Sequence, residues 1–287
     1  MTTPGPLPHH TIAQAVDAAL AEDLGLLGDI TSAATIAPTT QAAAWIATRQ
    51  PGVISGIALA EYAFRALDAE IDFRIEADDG DNVPPGTPIA HVSGNARAIL
   101  GAERVALNYL GRLSGIATLT RDYVDAIEGT SATIVDTRKT TPGLRALEKF
   151  AVRCGGGQNH RFGLFDAILI KDNHIVAAGG LSAAIERAHA TAGHKVKIEV
   201  EVDTLQQLRE AVTHRIDAVL LDNMPPAILR EAVAIARGRV LLEASGGVNL
   251  KTVRAIAETG VDLISVGALT HSAPVLDLGL DMGYSGA

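Results

Sequence analysis

From residue 133 onward the chain alternates short apolar runs with stretches of helical spacing, and no other property of the sequence restricts its fold as tightly. The runs occupy 133–137, 165–170, 196–202, 217–221, 240–243 and 263–266. Strands separated by helices cannot be joined as hairpins. Each needs a crossover, so the strands run parallel with helices covering them. Several consecutive crossovers predict a closed α/β barrel, and most of these runs end in polar residues. In such folds ligands bind at the carboxyl ends of the strands, so the residues that close each run are the first candidates for function.

The densest group of such residues lies between Asp136 and His174. Seven cations (Arg138, Lys139, Arg145, Lys149, Arg153, Arg161, Lys171) stand there against four acids (Asp136, Glu148, Asp166, Asp172), in a chain whose formal net charge is -9. A local positive pocket in an acidic protein points to a small polyanionic ligand; nucleic acid or a membrane surface would call for a broad basic face. Arg138 and Lys139 follow the first barrel strand. Pro142, after Thr140 and Thr141, predicts a helix from that position to about Arg153. Lys171 closes the run 167–170 in the same way. His160 and Arg161 follow the glycines 155–157, and neither His160 nor His174 has a spacing typical of zinc ligands.

The segment from Val196 to Asp203 alternates strictly, with Val196, Ile198, Val200 and Val202 on one face and Lys197, Glu199, Glu201 and Asp203 on the other. The valine face is expected against the helices and the charged face inside the barrel. Buried charges need partners, so Lys197 and Glu199 are expected to pair deep inside, leaving Glu201 nearer the carboxyl end as the functional candidate. Asp222 closes the next strand, where a helix cap is the plain alternative. Ser245-Gly246-Gly247 and Gly267-Ala268-Leu269-Thr270-His271 each follow a late strand. Glycine-exposed amides there suit a phosphate group.

The first half of the chain reads differently. Ile12, Val16, Ala19 and Leu20 predict an opening helix that stops near Gly25, followed by a polar loop over 22–31 with a helix cap. Strands are expected over 41–49, 53–55 and 88–92, a helix over 57–67, an alternating run over 71–77 and a turn cluster over 78–86. That cluster resembles a lipoyl- or biotinyl-type carrier domain, but such a domain needs a modifiable lysine and none precedes Lys139. Helical spacing over 97–127, with a break near Ser114-Gly115, puts Ile99, Ala102, Ala106, Tyr109, Leu110 and Leu113 on one stripe. Arg104 falls off that stripe and faces outward or into an interface. The expected organisation is an N-terminal α+β domain over 1–112, joined by a returning segment 270–287, and a barrel over 113–269.

With aromatic residues at only 3%, the core must be aliphatic. One cysteine, Cys154, rules out an internal disulfide and suggests a reducing compartment. It has no histidine–acid pair near it in sequence, so a nucleophilic role is not expected. No basic, then apolar, leader opens the chain, and no run of about 18 uncharged apolar residues occurs. These features suggest a soluble, cytoplasmic protein with neither nucleic acid nor membrane as partner.

Four blocks, Asp136-Thr137-Arg138-Lys139-Thr140, Pro142-Gly143-Leu144-Arg145, Gly155-Gly156-Gly157-Gln158-Asn159-His160-Arg161 and Ile170-Lys171-Asp172-Asn173-His174, resemble in content and order the quinolinate phosphoribosyltransferase family, also called nicotinate-nucleotide pyrophosphorylase. Glu103-Arg104, Leu107-Asn108 and the segment 114–118 resemble the block in which that family's arginine enters a neighbouring subunit's site. The resemblance implies an α/β fold with an incomplete or seven-stranded parallel barrel behind an N-terminal α+β open sandwich. It implies decarboxylating transfer of phosphoribose from 5-phosphoribosyl-1-diphosphate to quinolinate, in a homodimer with shared sites. Arg104, Arg138, Lys139, His160, Arg161 and Lys171 would bind quinolinate. Lys139, Glu201, Asp222, Ser245, Gly246, Gly247, Gly267, Ala268 and His271 would hold phosphate and ribose. Lys171, Glu201 and Asp222 would be catalytic, with Glu201 and Asp222 on Mg2+ and no prosthetic group. Three other readings stay open at this point: a different base-specific phosphoribosyltransferase, an aldolase using Lys171 as a Schiff base, and a non-catalytic phosphosugar-binding protein.

Overall fold

The computed structural model describes residues 5–193 and 195–283. Helix α1 (His9–Leu24), helix α2 (Ile30–Thr35), strands β1 (Gln41–Thr48) and β2 (Gly52–Val53), helix α3 (Ile57–Leu67), strands β3 (Asp72–Ile75), β4 (Asn82–Val83) and β5 (Pro88–Asn95), and helix α4 (Ala96–Ala126) come first. Then follow β6 (Thr133–Val135), α5 (Arg145–Cys154), β7 (Ile168–Ile170), α6 (Asp172–Ala178), α7 (Leu181–Thr191), β8 (Ile198–Val202) and α8 (Leu205–Ala211). The chain ends with β9 (Ala218–Asp222), α9 (Pro226–Ala236), β10 (Leu241–Ser245), α10 (Val253–Ala257), β11 (Leu263–Ser265), α11 (Ala268–His271) and β12 (Leu278–Met282). Two compact units result: Met1–Arg121 with Thr141–Gly156 and Ser272–Ala287, and Asp122–Thr140 with Gly157–His271. The division falls later than the 112/113 boundary expected from sequence, and it gives 141–156 to the first unit.

The first unit is built on an antiparallel sheet of order β12-β1-β5-β3. Alternation sends Ala44, Ile46, Ala90 and Val92 to one buried face, and α3 adds Leu59, Ala60, Ala63 and Phe64 to the core. Helix α1 lies against α3 through the expected stripe of Ile12, Val16 and Leu20. Asp29 caps α2, accepting from the backbone N–H groups of Thr31 and Ser32 at 3.0 and 2.9 Å. The returning C-terminal segment closes the sheet as strand β12, with Ala44 opposite Met282 and Thr48 opposite Leu278.

Two local expectations are corrected in this unit. Helix α4 runs unbroken for 31 residues through Ser114 and Gly115. Gly115 is there to let another backbone pass, since a Cβ at that position would stand 1.9 Å from the carbonyl oxygen of Pro274. Helix α5 starts at Arg145, not at Pro142. Pro142 and Gly143 form the corner of a turn closed by Leu144 N–H to Thr141 O at 3.0 Å. The fully buried Glu148 of α5 then ties that turn down. It accepts from Thr141 N–H at 3.0 Å and Thr141 Oγ1 at 2.8 Å, and it pairs with Arg112 at 2.8 Å. Cys154 is buried in the same unit, and burial pushes its thiol up to about 12, so it stays protonated and unreactive, as the sequence suggested.

The second unit holds all six expected strands, paired in parallel in the order β6-β11-β10-β9-β8-β7. Among the described residues β6 and β7 do not pair with each other, so the barrel is incomplete. The only filling of that gap is a single parallel bridge from Val135 to Gln158. Two strand entrances use one device: Asp217 Oδ2 accepts from Ile198 N–H and Asp262 Oδ2 from Leu242 N–H, each at 2.8 Å. A carboxylate thus satisfies the first donor of the neighbouring strand. Ile198, Val200 and Val202 are buried as the alternation requires.

Candidate active site

A cavity of about 640 Å³ opens at the carboxyl ends of the barrel strands, and every strand contributes to it. Asp136, Thr137, Arg138 and Lys139 follow β6, Leu169 and Lys171 come from the end of β7, and Glu201 from β8. Leu220, Asp222 and Asn223 come from β9, Glu243, Ser245, Gly246 and Gly247 from β10, and Ser265 from β11, with His160 and Arg161 completing the wall. Of the seven cations singled out in sequence, Arg138, Lys139, Arg161 and Lys171 converge here, although they are up to 33 positions apart in the chain, as Arg138 and Lys171 are; Arg145, Lys149 and Arg153 are not among the wall residues.

The deepest layer is ionic. Asp136, fully buried at the end of β6, accepts from His160 N–H at 2.9 Å and Asn159 Nδ2 at 2.6 Å, which fixes the loop carrying His160. The imidazole then points its Nε2 at Glu199 Oε2, 2.9 Å away, and at Glu243 Oε2, 3.2 Å away. Burial opposes charge on this ring, but the hydrogen bonds and charges of Glu199 and Glu243 outweigh it and carry His160 up to about 10. His160 is thus an imidazolium at neutral pH. Glu199 is raised by its own burial and by Glu243, with His160 pulling the other way. The expected Lys197–Glu199 pair does not form: β8 begins at Ile198, which leaves Lys197 outside the strand and exposed, where its ammonium keeps its hydration.

His160, Glu199 and Glu243 bring one donor atom each within 4.8 Å of one another, a cluster able to coordinate a divalent cation and not selective for magnesium. The same cluster satisfied by a proton on His160 is an internal salt link. Nearer the rim, the Lys171 ammonium donates to the Glu201 carboxylate across the ends of β7 and β8. Asp222 accepts from Asn223 Nδ2 at 2.6 Å. Arg138 and Arg161 stand close enough that burial and the Arg138 charge hold the Arg161 guanidinium below its ordinary value; Arg161 Nη1 also donates to Ala167 O at 3.1 Å. Two adjacent guanidinium groups are costly to bring together unless an anion joins them.

The glycine loop after β10 is shaped by a close approach. Gly246 has φ of +93°, and a Cβ there would lie 2.1 Å from Asn223 Oδ1. Asn223 itself is left-handed, at φ 53°, and its N–H donates to Ser245 O at 2.9 Å. Ser245, Gly246 and Gly247 line the cavity as expected, whereas Gly267, Ala268 and His271 are not among its walls. They pack beside it: Thr270 Oγ1 donates to Lys139 O at 2.7 Å, and a Cβ on Gly267 would meet Lys139 Cδ at 3.1 Å. Arg104 is exposed on α4, 4.0 Å from Glu103, in a small hollow with Glu22, Asp23 and Arg112. Glu243 was not singled out from sequence. Its only signal is an acid inside the apolar run of β10.

Fold and cavity together define an α/β-barrel protein with a densely charged cavity at its strand ends. Comparison with known proteins gives the class a family. The quinolinate phosphoribosyltransferase N-terminal domain matches residues 29–114 and the C-terminal domain of the same enzyme matches residues 116–281. A Bacillus subtilis protein named as a probable nicotinate-nucleotide pyrophosphorylase (carboxylating) is 46% identical, covering 92% of this chain and 91% of its own length. The nicotinate-nucleotide pyrophosphorylase (carboxylating) of Mycobacterium leprae is 45% identical over 92% of this chain and 94% of its own. The structure of the nicotinate-nucleotide pyrophosphorylase from Francisella tularensis superimposes with a TM-score of 0.93 at 41% identity, covering 98% of this chain and 99% of the other. The chain belongs to the quinolinate phosphoribosyltransferase family.

Proposed function

We infer that this protein is a decarboxylating quinolinate phosphoribosyltransferase, which converts quinolinate and 5-phosphoribosyl-1-diphosphate to nicotinate mononucleotide, diphosphate and CO2 in NAD biosynthesis. The observation that carries this reading is the convergence of Arg138, Lys139, His160, Arg161 and Lys171 on a cavity that also holds Glu201 and Asp222. Quinolinate brings two carboxylates. At 4 Å and an effective dielectric of 20, one opposite-charge contact is worth about 4 kcal/mol gross, before desolvation is subtracted. Several cations are therefore needed to extract a dianion from water, and Arg138, His160, Arg161 and Lys171 supply them.

The pyridine nitrogen attacks ribose C1 as the bond from C1 to the diphosphate oxygen breaks. Positive charge on the ribose in that loose transition state is stabilised by the Glu201 and Asp222 carboxylates. The ring nitrogen, now cationic, stabilises the electron pair left at C2 when the 2-carboxylate leaves as CO2, and a proton from water then takes the vacated C2 position. No residue needs to act as the base that activates the nucleophile. Orientation and charge placement are the protein's contribution. The aldolase reading loses ground, because Lys171 Nζ is engaged by the Glu201 carboxylate and is not free to attack a carbonyl.

Glu201 and Asp222, hard carboxylates on adjacent strand ends, fit a Mg2+ ion that takes its remaining ligands from water and phosphate. Bound there, Mg2+ would neutralise the leaving diphosphate. The phosphate end of the substrate is assigned to Lys139 and the amides of the Ser245–Gly247 loop, with Gly267, Ala268 and His271 supporting Lys139. The proposed unit is a homodimer in which Arg104 serves the partner's carboxylate site, and its exposure on α4 supports that role. A cytoplasmic location belongs to the same proposal, supported by a lone, buried, protonated thiol. Among the described residues no helix is long and apolar enough to cross a membrane. The decisive assay follows CO2 and diphosphate together with quinolinate or nicotinate as acceptor. Equimolar release with quinolinate is expected; turnover of nicotinate in preference to quinolinate would overturn the reading.

A further inference from the structure

The barrel carries a second cavity at the other ends of its strands. An open hollow of about 550 Å³, lined by exposed side chains, lies where the chain enters β8 and β9. Lys195 and Lys197 lead into β8, Arg215 and Asp217 into β9, and His189 reaches in from the last turn of α7, over a floor that includes Ile216. The two lysines flank Val196, whose N–H donates to Gly193 O at 3.0 Å. Among the described residues none of Lys195, Lys197 and Arg215 has a carboxylate oxygen within the 4.0 Å of an ion pair. The one acid in the wall, Asp217, is engaged through Oδ2 with the Ile198 N–H at 2.8 Å. Three permanent cations and a histidine thus face one cavity in a chain of net charge -9.

Like charges gathered without counter-charges repel one another, and a bound anion is what relieves them. The cavity is nearly as large as the catalytic one, yet it lies at the amino ends of the strands and shares no wall residue with it. We propose that it is a second ligand site, for an oligophosphate: a ligand of three or more negative charges, either free or as the phosphate tail of a nucleotide. Three separate point charges suit a chain of phosphates, each accepting from one lysine or arginine, better than a single carboxylate. The basic wall is too small for nucleic acid, which needs an extended basic face.

The test keeps the catalytic cavity out of the measurement. A Lys139→Ala/Lys171→Ala chain is titrated calorimetrically with inorganic tripolyphosphate and with ATP at low ionic strength, then compared with the same chain also carrying Lys195→Ala, Lys197→Ala and Arg215→Ala. Screened surface contacts are worth up to about fivefold each, so removing all three should weaken binding about tenfold to 100-fold. Equal affinity for the two probes would mean that the phosphates alone are read; tighter ATP would add the nucleoside. The three substitutions in the otherwise wild-type chain should leave phosphoribosyl transfer unchanged, which also reports that the fold is intact. If they lower activity, the single Lys197→Gln variant replaces them, with a loss of up to about fivefold. No binding to the catalytically disabled chain, or binding that survives the substitutions unchanged, would overturn the proposal.

Discussion

His160 and Glu199 meet inside the barrel with 2.9 Å between Nε2 and Oε2, and Glu243 reaches the same nitrogen from β10 at 3.2 Å. The charge on His160 is therefore set by two carboxylates behind it. Its folded value of about 10 lies above the ordinary 6.5, so its contribution to stability is complete below about 6.5 and is lost as pH rises through about 10. The imidazole resonances of His160 should stay fixed through neutral pH, and thermal stability should fall on the alkaline side. A His160 signal that titrates near its ordinary value would mean that the link to Glu199 and Glu243 is not made in solution.

Converting Glu201 to Gln, or Asp222 to Asn, should lower kcat about 100-fold or more while leaving quinolinate binding largely intact, because the proposed mechanism assigns the lost charge to ribose and diphosphate. The Mg2+ concentration needed for half-maximal rate should rise in both variants. Identical magnesium titrations for wild type and variants would reassign the two carboxylates to structural work.

Arg104→Ala and Lys171→Ala chains should each be poorly active alone and recover activity when co-expressed. In a heterodimer with shared sites, one of the two sites receives both wild-type residues. Native mass spectrometry must show that heterodimers are present; heterodimers no more active than the parent chains would mean Arg104 has no role in a partner's site.

Gly115→Ala tests the crossing over α4. Helix propensity alone favours alanine over glycine by about 1 kcal/mol. The new methyl group, however, would sit 1.9 Å from Pro274 O, a backbone atom that cannot swing away. Steric cost should win, with a net destabilisation of about 1–3 kcal/mol in denaturant titrations. A more stable variant would show that the C-terminal segment does not cross at this glycine.

The barrel strands were legible because burial on both faces leaves unbroken apolar runs, and the site was legible because strand ends are where polar residues interrupt them. What escaped depends on partners distant in the chain. Gly115 reads as a helix breaker until Pro274 is seen beside it, and Leu278 to Met282 is too short a run to announce a strand without β1 as its partner. Lys197 and Glu199 share a strand face in sequence, but only the start of β8 at Ile198 shows that the lysine is left outside. The second cavity gave no signal as a site, since the strand alternation makes Lys197 an expected interior ion-pair partner and nothing singles out Lys195 and Arg215.

The pairing of Ala44 with Met282 also sets an order of events during synthesis. β1 leaves the ribosome well before the strand that covers its outer edge. Until then β1 offers an open row of amide and carbonyl groups, the kind of edge on which other nascent chains can add. A message cut short before codon 278 would yield a polypeptide carrying every catalytic candidate but a raw sheet margin, and such a product is one that chaperones retain and proteases clear.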